Sequence, residues 1–198
     1  FDEIMKLSLN HPTGGGYGDW AFVYGLISSG KIYHDTSKLL IYKNDNWFGE
    51  YSKIQEKTIS LFTRAGFEAR SELFSNLFRA VDSYIYIMRK KSPVDRNELQ
   101  KAGKFCFLKD IKRFLERFIN KNNKFSQDES KAIAKLFNFK SPEDIKKNYL
   151  SIISNIEKLN INKALLNCLN IIDIHCPKLS NGYRNFYFSA LGENWESI

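Results

Sequence analysis

The run of residues 11–19 is the one local concentration of groups that could take part in chemistry. It begins with His11 and ends with Asp19, and four of the five residues at 14–18 are glycines. Glycine leaves backbone N–H groups free to approach a phosphate, but a phosphate loop also needs a cation or a helix N-terminus where Asp19 stands. The run therefore favours a flexible turn, and an unrecognised enzyme site near the Gly14–Gly18 loop remains an alternative.

Histidine and cysteine, the usual catalytic bases, nucleophiles and metal ligands, are scarce. The histidines are His11, His34 and His175, and the cysteines are Cys106, Cys168 and Cys176. No two histidines stand at the spacing of a helical metal site, and the cysteines match neither a paired metal knuckle nor a disulfide framework. We assign no catalytic residue and expect no enzyme activity, no cofactor, no bound metal and reduced thiols.

Basic residues are the strongest chemical signal in the chain. Thirty Lys and Arg against 22 Asp and Glu give a formal net charge of +8, and segment 89–124 alone has twelve basic and four acidic residues. Four of the basic residues recur at intervals of four, and we call them the basic ridge: Lys109, Arg113, Arg117 and Lys121. Residues at this spacing are neighbours on a helix surface.

The basic ridge predicts contacts with a nucleic-acid backbone. A row of Lys and Arg neutralises successive phosphates and releases counterions, a term that does not depend on base sequence. Three more cations precede the ridge and are predicted to extend it: Arg89, Lys90 and Lys91. A plain solvated face is the alternative reading of the same charges.

Three classes of function follow from these observations. The first is a non-catalytic helical accessory subunit that binds a nucleic-acid backbone non-specifically within a larger, defence-type assembly. The second is a protein-interaction module, such as an inhibitor, antitoxin or scaffold piece, that docks through four aromatic residues of its tail: Tyr183, Phe186, Tyr187 and Trp195. The third is an enzyme with a site near the glycine-rich loop.

The elements that must position these residues are predicted to be helices. Apolar residues recur at three-and-four spacing over 73–88 and 145–172, which predicts an all-α domain of about six to eight helices. Region 1–48 is predicted to be irregular, with a short strand or hairpin conceivable near residues 39–42, and residues 49–198 form the helical body. One domain is expected overall.

Several helix boundaries are also predicted from the sequence. Ser92 is the expected N-cap of a short helix that ends at about Gly103, and a second helix follows over 104–120. A capping box at Ser126 and Glu129 predicts a helix over 127–138, and another helix begins at Ser141. The aromatic tail is predicted to be a final helix or a docking strand.

No stretch of the sequence has the length and apolar composition of a membrane span. The most hydrophobic run, 161–174, is interrupted by Asn, Lys and Asp residues. The chain also lacks the basic-then-apolar order of a secretory signal, so a cytoplasmic location is expected and no membrane partner is predicted.

Overall fold

The computed structural model describes residues 2–13, 19–30, 51–120, 124–175 and 180–192. These residues form nine α-helices and two short 3-10 helices, and they contain no strand. The α-helices are α1 Asp2–Leu9, α2 Asp19–Ile27, α3 Tyr51–Arg64, α4 Ser75–Met88, α5 Arg96–Ile119, α6 Gln127–Leu136, α7 Pro142–Asn155, α8 Ile161–His175 and α9 Ser180–Leu191. The 3-10 helices are Ala69–Phe74 and Ile156–Lys158.

The predicted all-α class is confirmed, although the described residues hold more helices than the six to eight expected. Region 1–48 was predicted to be irregular, yet its described part contains α1 and α2. The strand considered near residues 39–42 lies outside the described residues. No helix within the described ranges is long and apolar enough to cross a membrane.

Helix α4 lies at the centre of the structure. Ten of its fourteen residues are buried, and it packs against α2, α5, α8 and α9. Its neighbour α3 is separated from it by a turn in which Gly66 has a φ of 87°, a conformation that favours glycine. The turn lets Phe67 fold back onto Phe62 and Phe78, with ring centroids 4.9 and 4.7 Å away, and this aromatic cluster fixes α3 against α4.

Helix α5 is one continuous helix, so the predicted break at Gly103 is wrong. Gly103 is buried within α5, and a Cβ placed on it would lie 3.1 Å from Met88 and 3.2 Å from Tyr84. The glycine therefore serves the close approach of α4 and α5 and does not end a helix. The predicted N-cap is also wrong, because the Asp95 carboxylate caps α5 by accepting hydrogen bonds from two backbone N–H groups. The Ser92 hydroxyl donates instead to the backbone carbonyl of Ser28.

The capping box predicted for α6 is confirmed. The Ser126 hydroxyl accepts a hydrogen bond from the Glu129 N–H, and the Glu129 carboxylate accepts one from the Ser126 N–H. Ser141 and Asp144 form the same motif at the start of α7. Helix α6 ends two residues earlier than predicted, because Asn138 has a φ of 60° and turns the chain away from the helix axis.

Candidate functional site

The structure does not place the basic ridge on one straight, open face. Lys109 and Arg113 are exposed, whereas Arg117 is only partly exposed and lies against the 3-10 helix Ala69–Phe74. The Arg117 guanidinium donates to the Glu72 carboxylate at 2.6 Å and to the Ser75 hydroxyl at 3.1 Å. Lys121 lies outside the described residues.

The geometry of an α-helix explains why the ridge divides. With 3.6 residues per turn, each step of four residues turns about 40° past a full circle, so three steps turn about 120° around α5. Lys109 therefore points to solvent while Arg117, eight residues later, reaches a neighbouring element. Arg113 lies between them and donates to Asp110 at 3.2 Å.

Arg89 is a structural residue, and its prediction as a phosphate contact needs correction. It is 2% exposed, and its guanidinium donates to the hydroxyls of Ser28 and Ser29 and to the carbonyl of Tyr86. Burial lowers the pKa of Arg89, and Glu3 at 3.9 Å opposes that effect. A cation at the ends of α2 and α4 complements the negative end of both helix dipoles. Lys90 and Lys91 are exposed, as a phosphate contact requires.

The aromatic tail is part of the core, which corrects its prediction as a docking surface. Tyr183, Phe186 and Tyr187 are buried, because α9 packs this face against α4 and α8. The Phe186 ring also lies edge-on to the His11 ring, with centroids 4.9 Å apart. Trp195 lies outside the described residues. These three side chains are therefore not exposed to a docking partner, as the prediction required.

His11 belongs to a buried polar cluster that joins three helices. Its Nε2 lies 3.1 Å from Asp82 Oδ1 on α4, and its Nδ1 lies 2.9 Å from the Thr13 hydroxyl. The Tyr183 hydroxyl on α9 donates to both carboxylate oxygens of Asp82, at 2.8 and 2.9 Å. The backbone N–H of Thr13 can only donate, and it points at His11 Nδ1 from 3.3 Å. Nδ1 is thus the acceptor, and the ring proton on Nε2 faces Asp82.

A hydroxyl, an imidazole and a carboxylate in this order resemble the layout of a nucleophilic triad. All three residues are buried. The cluster fixes the end of α1 to α4 and α9 through satisfied buried hydrogen bonds.

An open groove of about 670 Å³ lies between α5 on one side and the end of α7 with the 3-10 helix Ile156–Lys158 on the other. Its apolar lining consists of Phe105, Leu108, Ile153 and Ile156. Its charged lining consists of Lys101, Lys104, Lys109, Lys112 and Glu157. We call this feature the lysine groove. Four cations surround an apolar surface and share it with one carboxylate, which makes the groove an electropositive site with room for a ligand.

Phe105 is the least expected residue of the lysine groove. Its place in the apolar pattern of 104–120 predicts a core residue, yet it is 68% exposed. At 100° per residue it lies about 160° around α5 from the buried Phe107, on the side away from the core. Among the described residues of α5, Phe105 is the one large apolar side chain that faces solvent.

Sequence reasoning found one of the four groove lysines, Lys109, because it searched for strict intervals of four. The others stand at positions 101, 104 and 112, which are eight, five and three residues from position 109 and still share one helical side. A search for mixed intervals of three and four, with a large apolar residue inside the cationic face, would have found the set. The contribution of α7 carries no comparable signal in the sequence.

Lys104, Lys109 and Lys112 form no ion pair within the described part of the chain, whereas Lys101 pairs with Glu98 at 3.1 Å on the exposed surface.

The described residues also contain no group of three or more His, Cys, Asp or Glu side chains arranged to hold a metal ion. Comparisons of the chain with protein-family models, with curated proteins and with solved structures gave no match.

Proposed function

We propose that this protein binds a nucleic-acid backbone through the lysine groove, without base specificity, as a non-catalytic subunit of a larger assembly. The observation that carries the proposal is the clustering of four lysines around one groove of about 670 Å³. Three of them have no carboxylate partner among the described residues. Their ammonium groups are thus available to phosphates.

Helix stability does not account for this arrangement. Like charges three or four residues apart destabilise a helix by a few tenths of a kcal/mol per pair, and Lys101 and Lys104 stand three apart, as do Lys109 and Lys112. Arg113 and Arg117 of α5 are bound to buried acids, Asp110 and Glu72, whereas Lys104, Lys109 and Lys112 have no such partner among the described residues. The contrast supports a role for the groove lysines outside the fold, and phosphate neutralisation is the role that their charge fits.

A charge-matched pair of variants tests the proposal. The groove variant changes Lys101, Lys104, Lys109 and Lys112 to Gln. The control variant changes four exposed lysines on α6, on α7 and between them to Gln, namely Lys135, Lys140, Lys146 and Lys147. Both variants keep good helix formers and the same net charge. Fluorescence anisotropy with labelled oligonucleotides of unrelated sequence, at about 50 mM salt, measures affinity.

The groove variant is expected to lose most of its affinity for every sequence, and the control variant is expected to retain it. Equal losses in the two variants would show that the charge of the whole molecule, rather than the groove, attracts the oligonucleotide. No binding by the parent protein would contradict the proposed function outright.

A further inference from the structure

The aromatic ring of Phe105 lies within the cationic side of α5. Lys104 precedes it in the chain, Lys101 lies one turn before it, and Lys109 lies one turn after it. The ring is 68% exposed and lines the same groove as the lysines. A flat apolar face surrounded by ammonium groups is complementary to a flat base that is flanked by phosphates.

We propose that the occupant of the lysine groove is single-stranded nucleic acid, with one unpaired base stacked on Phe105. This inference rests on the proposed function. A duplex keeps its bases paired and presents mainly phosphates, so it would leave the ring and the apolar lining exposed. A single strand can splay out a base, and stacking on an aromatic side chain tolerates any base because every base has a π-face. Stacking on Phe105 is thus compatible with binding that does not depend on base sequence.

The length of the groove sets the size of the site. Lys101 and Lys112 are eleven residues apart, which is about 16 Å along the axis of α5 at 1.5 Å per residue. At about 3.4 Å per nucleotide along one strand, this length corresponds to about five nucleotides. The stacked base then lies between phosphates that contact Lys101 and Lys104 on one side and Lys109 and Lys112 on the other.

The test uses the full chain and three fluorescein-labelled probes of equal length: a mixed-sequence single strand, the corresponding duplex, and a single strand whose central residues are abasic. The variants are Phe105→Leu, which stays apolar but lacks a π-face, and Phe105→Trp, which offers a larger one. Because Phe105 is exposed, both variants are expected to keep the parent melting temperature, measured by circular dichroism.

The parent protein is expected to prefer the intact single strand over the duplex. Phe105→Leu is expected to weaken binding of the intact single strand by about five- to hundredfold and to leave binding of the abasic strand unchanged, whereas Phe105→Trp retains or improves it. These results together would support the stacked base.

Three outcomes distinguish failure of this inference alone from failure of the proposed function as well. If all three probes bind equally and Phe105→Leu changes nothing, the inference is overturned while backbone binding stands. If no probe binds at about 50 mM salt, both fail. Binding of an acidic amphipathic peptide that depends on the groove lysines, without binding of any probe, would also overturn both.

Discussion

Asp82 has no solvent exposure, and it accepts hydrogen bonds from residues 71 and 101 positions away in the sequence. Its partners, His11 and Tyr183, come from opposite ends of the described chain. A buried carboxylate is stable only when its oxygens are paired, so the three side chains specify one arrangement of α1, α4 and α9. This network therefore contributes to the specificity of the fold as well as to its stability.

Asp82→Ala should lower the free energy of unfolding by about 3 kcal/mol, because it leaves the His11 Nε2–H and the Tyr183 hydroxyl buried without their common acceptor. Tyr183→Phe removes one donor and keeps the contact between His11 and Asp82, so a smaller loss of about 1 kcal/mol is expected. Urea denaturation measures both values. Equal losses in the two variants would contradict the role given to the carboxylate.

Glu129 makes the stability of the start of α6 depend on pH. Burial raises the pKa of Glu129, but hydrogen bonds from Arg70 and from the Ser126 N–H outweigh burial and hold the pKa below its usual value of 4.5. A carboxyl whose pKa is lower in the folded state contributes stability above its unfolded pKa and loses that contribution as the pH falls through the folded pKa. The contribution of Glu129 is therefore complete at pH 7 and is lost in the acid range.

Glu129→Gln should therefore lower stability at pH 7 by about 1 kcal/mol and make the free energy of unfolding fall less steeply below about pH 4.5. Glutamine still fits the capping box, so the change isolates the charge. Urea denaturation at a series of pH values gives the profile. Asp128→Asn, which removes an exposed carboxylate from the same turn, is the control. If the free energy of unfolding of Glu129→Gln falls as steeply in the acid range as that of the parent, Glu129 is not the source of the pH dependence.

At the scale of whole elements, the contact between α4 and α5 depends on Gly103. The side chains of Met88 and Tyr84 lie where a Cβ at position 103 would need room. A larger residue there would favour the helix by local propensity, but it would require the Met88 or Tyr84 side chain to shift. Packing and propensity thus oppose each other at this position.

Gly103→Val should destabilise the protein by about 2 kcal/mol, because the branched side chain cannot fit without displacing the side chains packed against Gly103. Ala102→Val, one position earlier and exposed, should cost only the difference in helix propensity, about 0.5 kcal/mol. Thermal or urea denaturation compares the two variants. A stabilised Gly103→Val variant would mean that the helices are not in close contact at Gly103.

Helix ends that are fixed by local contacts could be predicted from the sequence, and those that depend on tertiary contacts could not. The capping boxes at Ser126 and Ser141 use residues three positions apart, so the motif is visible in the sequence. Ser92 has the residue type of an N-cap, but its hydroxyl bonds to Ser28, which lies 64 residues away. Gly103 likewise has the residue type of a helix end, and only the position of α4 shows its true role.

At the scale of the whole molecule, the described cations of the basic segment 89–124 lie in different environments. Arg89 is buried at helix ends, Arg113 and Arg117 are bound to acids, and the groove lysines line an open groove. Composition predicted the excess of positive charge in this segment, and the intervals of four placed it on α5. The sequence could not show which cations the fold would use, because Glu72 and α7 approach α5 only in the folded chain.

The central claim is that phosphates displace counterions from the lysine groove. The most direct test is the salt dependence of single-strand binding, measured as the slope of log K against log salt concentration for the parent, the groove variant and the control variant. Four lost contacts should make the slope of the groove variant shallower by about 3, at about 0.7 per contact, while the control keeps the parent slope. A groove variant with the slope of the parent would contradict the claim and leave the lysines as a solvated surface.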